Sequence, residues 1–157
     1  MNRVSFFLLP FFYFHSWNNY HDVQFAQFEL SQTNQSLTLR IRVEEKTLLT
    51  VWKDFVPMES YEQVAKINDY IQLTTQWFIN DERLKVCDYT FLQKEGHFLI
   101  QAHIKNASKE IESLSLINTF FVDEIINHVN IIHFRINEQL RSFKMDKNRQ
   151  KISLVFD

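Results

Sequence analysis

The sequence predicts a mainly β protein: an immunoglobulin-like antiparallel β-sandwich of about seven strands with one inserted amphipathic helix at about 61–79. Three observations carry this expectation. After Asn19 the apolar residues recur mostly with a period of two, as on strands that bury one face. One segment, beginning at Ser60, changes to helical spacing. Turn-forming residues such as Thr33-Asn34-Gln35, Lys94-Glu95-Gly96 and Asn137-Glu138 divide the rest into short runs.

The first element is not part of that pattern. Arg3 is followed by an apolar run, Val4 to Phe14 (VSFFLLPFFYF), which stops at His15-Ser16-Trp17-Asn18-Asn19. A membrane-spanning helix needs about 20 residues, so this shorter run, interrupted by Pro10, fits the core of a signal peptide. The competing reading is a buried N-terminal strand rich in phenylalanine, and Ser16-Trp17-Asn18 lacks the small-x-small pattern of a cleavage site. We expect residues 1–18 to direct export to the periplasm or cell envelope. Their removal leaves 19–157 as a single β-sandwich domain with no transmembrane span.

Within that domain, Leu37, Leu39, Ile41 and Val43 alternate with Thr38, Arg40 and Arg42, which describes a strand with one wet face. Residues 23–30 are its hairpin partner. Val23 and Phe25 lie on one parity but Ala26, Phe28 and Leu30 on the other, so a bulge is expected near Phe25 and Ala26. Ser60-Tyr61-Glu62-Gln63 reads as a capping box before apolar residues at Val64, Ile67, Ile71 and Phe78, a helix of about five turns closed by Asn80-Asp81. Leu84–Leu92 and Phe98–Ile104 form a hairpin about Lys94-Glu95-Gly96, and Ile111–Ile117 is a further strand. Residues 118–128 make a corner, which Asp123 is suited to hold by accepting backbone N–H bonds. Val129–Ile136 and Gln139–Met145 flank the Asn137-Glu138 turn, and Ile152, Leu154 and Phe156 alternate at the end.

The stretch Asn118 to Phe156, with its aspartate-bearing corner, Asn-hydrophobic-hydrophobic-His strand, asparagine turn and Phe-rich tail, resembles the closing part of a family of small exported bacterial proteins of unassigned function. Ser36-Leu37-Thr38-Leu39 and Asn68-Asp69-Tyr70-Ile71 fit the same resemblance. It implies export and a β-sandwich, and no transferable activity. Members usually begin their mature chain close to a histidine, for which His21 is the counterpart here. The chain departs from the family by adding His15 to Asn19 and by placing Glu138 where a glycine often follows the asparagine.

Composition excludes more chemistry than it supports. Gly96 is the single glycine, whereas phosphate-cradling loops, dinucleotide fingerprints and nucleophile elbows all require several. Seventeen basic and nineteen acidic residues give a net charge of −2, which does not favour a nucleic-acid partner. The one cysteine, Cys87, leaves no intrachain disulfide. No pair of histidines has metal-ligand spacing. His97 and His103 share a strand face but stand about 20 Å apart, while His128 and His133 fall on opposite faces. The acid pairs Glu44-Glu45, Asp81-Glu82 and Asp123-Glu124 diverge in the same way.

The expectation is therefore a non-enzymatic envelope protein without a cofactor, acting by binding or structural support. Its alternative is a metal-linked periplasmic accessory protein in which His21 joins other histidines. The basic stretch 139–151, with Arg141, Lys144 and Lys151, reads as a lysine-decorated sheet edge that either resists pairing or docks another envelope protein. Trp52, Phe55 and Trp77 are expected mainly to fill the core, with a groove beside the helix as the other possibility.

Overall fold

Period-two patterning becomes two sheets. A computed structural model describes residues 24–33, 36–55, 58–86, 89–105 and 110–156. Among these the elements follow as β1 (Phe25–Thr33), β2 (Ser36–Glu44), α1 (Glu45–Val51), α2 (Ser60–Thr74), β3 (Thr75–Ile79), β4 (Glu82–Arg83), β5 (Thr90–Lys94), β6 (His97–Lys105), β7 (Ser113–Asn118), β8 (Val129–Ile136), β9 (Gln139–Met145) and β10 (Lys151–Val155). Six strands form one sheet in the order β5-β6-β2-β1-β8-β9, and four form the other in the order β10-β7-β3-β4. The mainly β, two-sheet architecture with helix inserted after the second strand agrees with the sequence.

Two features depart from it. β1 and β8 run parallel, with Phe25 beside Val129 and Ser31 beside Arg135, so the larger sheet is mixed. The described strands number ten, against about seven expected, because residues 75–79 leave the helix to become a strand and Glu82–Arg83 adds a short partner to it.

Alternation then sets the core. Phe28 and Leu30 of β1, Leu39 and Ile41 of β2, Phe98 and Ile100 of β6 and Ile132 and Phe134 of β8 are all fully buried on one face of the larger sheet. Trp77 of β3 meets Phe134 edge-on at 6.3 Å, joining the two sheets. The helices and the corner cover more of the same face, with Phe55 against Phe98 at 5.4 Å and Phe120 against Phe28 at 5.3 Å. Each such side chain contributes about 1.5–3 kcal/mol through burial. Trp52 and Phe55 thus belong to this aromatic cluster rather than to a groove, stacked at 5.6 Å.

The expected bulge in β1 is absent. Ala26 to Thr33 pair without interruption with Val43 to Ser36, so Ala26, Phe28 and Leu30 form the inward set and Phe25 remains half-buried. Asn34 and Gln35, in the connecting turn, lie outside the described residues.

The helix is shorter than its apolar pattern implied. Ile67 and Ile71 are fully buried, but Val64 is only half-buried and Gln63 takes an inward place. No capping box forms: Glu59 is the N-cap without a side-chain bond, and Gln63 Nε2 donates instead to the Phe55 carbonyl at 2.8 Å. At the other end, the Thr74 and Thr75 hydroxyls donate to the carbonyls of Tyr70 and Ile71, at 2.7 and 2.8 Å. Those bonds finish the last turn, after which β-branched and aromatic residues favour a strand. Phe78, assigned to the helical stripe, lies half-buried on β3, and Asn80-Asp81 turns β3 into β4 with φ of 48 and 64°.

Elsewhere the turns follow the sequence. Glu95 and Gly96 take φ of 48 and 74° between β5 and β6, and Asn137 and Glu138 take 48 and 61° between β8 and β9. All four lie in the left-handed region that two-residue hairpins require. The strand expected from Leu84 is confined to Thr90–Lys94, and that expected from Ile111 starts at Ser113.

Candidate functional site

Among the described residues β9 pairs only with β8 and so forms an edge of the larger sheet, as the basic composition of 139–151 had indicated. Its three candidate docking residues are nevertheless not on one surface. Arg141 shares the inward parity of Phe143 and Met145, lies over the Phe156 ring at 5.8 Å and donates to Gln139 Oε1 at 2.9 Å. Lys144, three residues later, faces the other side and pairs with Asp146 at 3.4 Å. Lys151 begins β10, the edge of the smaller sheet. The Lys144–Asp146 pair is exposed enough to contribute only about 0–1 kcal/mol. The Asp146 carboxyl is held below its usual pKa chiefly by the Asn148 N–H, with help from Lys144.

The C-terminal end of β9 leads to a site that sequence reasoning missed. A cavity of about 330 Å³ lies between the corner and the turn after β9, with Asp123, Ile126, His128, Lys144, Asp146 and Asn148 among its walls. The corner is rigidly specified. Asn118, buried at the end of β7, accepts the Phe120 N–H through Oδ1 at 2.9 Å, the role that sequence gave to Asp123. Asp123 is instead exposed and accepts no hydrogen bond among the described residues.

Phe121 then adopts φ of 56°, a conformation that costs a bulky residue about 1–2 kcal/mol. Tyr70 of α2 stabilises it from above. The tyrosine ring stacks on Phe121 at 5.1 Å, and its hydroxyl accepts the Phe121 N–H at 3.1 Å while donating to Glu124 Oε1 at 2.6 Å. Burial, and then that bond to Glu124, push the phenol pKa well above its ordinary value. Tyr70 therefore serves as a fixed neutral hydroxyl.

Under the corner, Asn130 Nδ2 donates to the Phe120 carbonyl at 2.8 Å and towards Asn118 Oδ1 at 3.4 Å. Its Oδ1 is left to face His128 Nε2 at 3.2 Å, so Nε2 must carry the imidazole proton. His128 Nδ1 is then a bare acceptor, buried without a partner, as is the donor Asn118 Nδ2. Burial lowers the His128 pKa to about 4, against the opposing bond to Asn130. A neutral imidazole tied to a carboxamide, rather than to a carboxylate or a nucleophile, is equipped for hydrogen-bond recognition rather than for proton relay.

The remaining histidines are placed elsewhere. His133 faces outward from His128, as parity required, and its Nδ1 meets Ser142 Oγ at 2.8 Å. His97 accepts from Arg42 at 3.1 Å and donates to the Glu95 carbonyl at 3.0 Å, while His103 meets Thr38 at 3.2 Å. Among the described residues no three histidine, cysteine or carboxylate side chains converge as a metal site. His21 and His15, together with the whole apolar N-terminal run, lie outside the described residues, as does Cys87. Among the described residues no helix is long and apolar enough to cross a membrane. The outward histidines were legible from parity; the site under the corner was not, because it joins residues 70, 118, 128 and 144 through tertiary packing.

No protein-family model matches the chain, and no curated protein matches it either.

Proposed function

We propose that this is an exported protein of the cell envelope that binds a partner without catalysing a reaction, using an immunoglobulin-like sandwich whose β9 edge accepts a strand from another envelope protein. One observation carries the reading. β9 is seven residues long, is paired on one side only among the described residues, and runs at its Met145 end into the cavity beside His128. An extended segment added to such an edge gains backbone hydrogen bonds along the strand, and side-chain recognition where it enters a pocket. Leu140, 59% exposed, and Lys144 offer an apolar contact and a cation on the outward face of the same strand. Export is supported by the apolar run after Arg3 and by the resemblance to small exported proteins.

Leu140→Lys combined with Lys144→Glu tests the docking surface, since both side chains are exposed and neither covers the core as Arg141 does. Crosslinking in the native envelope should yield a partner with the wild type and lose it with this variant. The same crosslinked partner held by a stably folded variant overturns the edge reading. Cell fractionation with intact-mass measurement tests export separately, and a cytosolic chain retaining Met1 overturns it.

A further inference from the structure

Strand register assembles a second surface on the outward face of the larger sheet. Arg42 of β2 stands beside Leu99 of β6, which stands beside Leu92 of β5; one row away, Glu44, His97 and Lys94 follow each other across the same three strands. Residues two apart on a strand share a face, so these six side chains project to one side. It is the side away from the core, because the intervening Val43 and Phe98 are fully buried. Arg42, Leu92, Lys94, His97 and Leu99, with Glu95 of the turn between β5 and β6, line a hollow of about 360 Å³ there.

The Arg42 guanidinium is held in place without being neutralised. His97 Nδ1 donates to the Glu95 carbonyl at 3.0 Å, which leaves Nε2 as the acceptor for Arg42 Nη2 at 3.1 Å. The holder is thus an imidazole lone pair rather than a carboxylate. Arg40, on the same strand and face, differs: it reaches Glu29 at 3.9 Å and donates to Gln101 Oε1 at 3.3 Å. Among the described residues no carboxylate pairs with Arg42 or Lys94, and both side chains are exposed. The excess of cations extends beyond the hollow. Among the described side chains on this face, Lys94, Arg40, Arg42, Arg135 and Lys144 stand against Glu29 and Glu44, in a chain whose net charge is −2. Glu44 is in turn paired with Lys46 at 3.2 Å.

We infer that the hollow beside Arg42 docks an acidic segment of a partner protein, with one carboxylate side chain in the Arg42 fork near Lys94 and an adjacent aliphatic side chain on Leu92 and Leu99. Arg42 and Lys94 exceed Glu95 by one charge, which one carboxylate balances. The guanidinium offers parallel N–H donors at carboxylate spacing, and such charge-assisted bonds are the stronger kind. Leu92 is 56% exposed, so the wall covers one side of an occupant only. That suits a side chain presented by a larger molecule, whereas small-molecule pockets bury most of their ligand. β1 and β8 separate this surface from β9, so it is distinct from the edge-docking role and is tested apart from it.

The probe is the blocked peptide acetyl-Leu-Asp-Leu-amide, titrated into the intact chain with the Leu99 methyl and Arg42 Nε–H resonances as the readout. It should shift both saturably, and the same peptide with asparagine in place of aspartate should bind about tenfold less tightly. Arg42→Gln should weaken the aspartate peptide by about tenfold at an unchanged melting temperature, because the side chain is exposed. Arg40→Gln, which alters a cation already engaged by Glu29 and Gln101, should leave binding within about twofold of the wild type. The inference is overturned if the aspartate peptide moves neither resonance, if the asparagine peptide binds as tightly, or if Arg40→Gln costs as much as Arg42→Gln, which would mean a diffuse basic face. Phosphatidylglycerol vesicles that retain the wild type but not Arg42→Gln, while the peptide leaves the resonances unmoved, would overturn it in favour of a lipid surface.

Discussion

Tyr70 and Glu124 meet at 2.6 Å, and that short bond fastens the second helix to the corner before β8. Because the same hydroxyl also accepts the Phe121 N–H, Tyr70 compensates for the left-handed backbone at Phe121. Tyr70→Phe keeps the ring stacking and removes both bonds. The expected loss is about 1–3 kcal/mol in denaturant unfolding, with faster hydrogen exchange at the Phe121 amide. Unaltered exchange there would show that the corner holds its shape without the helix.

His128 should make stability depend on pH in a defined window. Its folded-state pKa is lowered to about 4, below the unfolded value of 6.5. Between these values the unfolded chain binds the proton and the folded chain does not, so the full contribution is present above pH 6.5 and is lost as pH falls towards 4. The loss is on the order of 3 kcal/mol at most. Urea unfolding at pH 7 and pH 4.5 should show a larger drop for the wild type than for His128→Gln, whose side chain keeps the site polar but does not take up a proton in this range. Equal drops would mean that the imidazole is solvated.

Burial at the helix seam is graded, and substitutions should follow the grade. Ile67 is fully buried, so Ile67→Asp places an unpaired charge in the core and should remove several kcal/mol, much of a typical domain's roughly 5–15. Val64 is half-buried, and Val64→Asp should be distinctly milder. Similar melting temperatures for the two variants would contradict the assigned face of α2.

The two hairpin turns make opposite predictions from one cause. Gly96 has φ of 74° and open space where a Cβ would stand, so Gly96→Ala is opposed by backbone strain alone and should destabilise by about 0.5–1 kcal/mol once the unfolded-state freedom lost with glycine is deducted. Glu138 has φ of 61° with a side chain, and Glu138→Gly should stabilise by about 0.5–1 kcal/mol once glycine's greater unfolded-state freedom is deducted. Paired melting curves decide both.

Much of the fold was legible along the chain. The alternation of β2, β6 and β10 named the inward residues correctly, because a strand's two faces are fixed by parity within the strand itself. The Glu95-Gly96 and Asn137-Glu138 turns were legible for a similar local reason. Ser60 and Gln63 were legible as a helix start, but not their actual bonds, since Gln63 found the Phe55 carbonyl through packing. The helix end was misplaced because Phe78 fits both periods, and only pairing of β3 with β7 decides between them.

The sequence by itself thus determined the β class, the inward face of several strands, the basic character of 139–151 and the placing of the single glycine in a turn. Tertiary structure alone decided that β1 lies parallel to β8, that Arg141 and Lys144 part to opposite faces, and that His128, Asn130 and Asn118 form one buried network. The physical reason is range: parity and turn conformation are set by a residue and its immediate neighbours, whereas strand partners and buried polar networks depend on segments far apart in the chain.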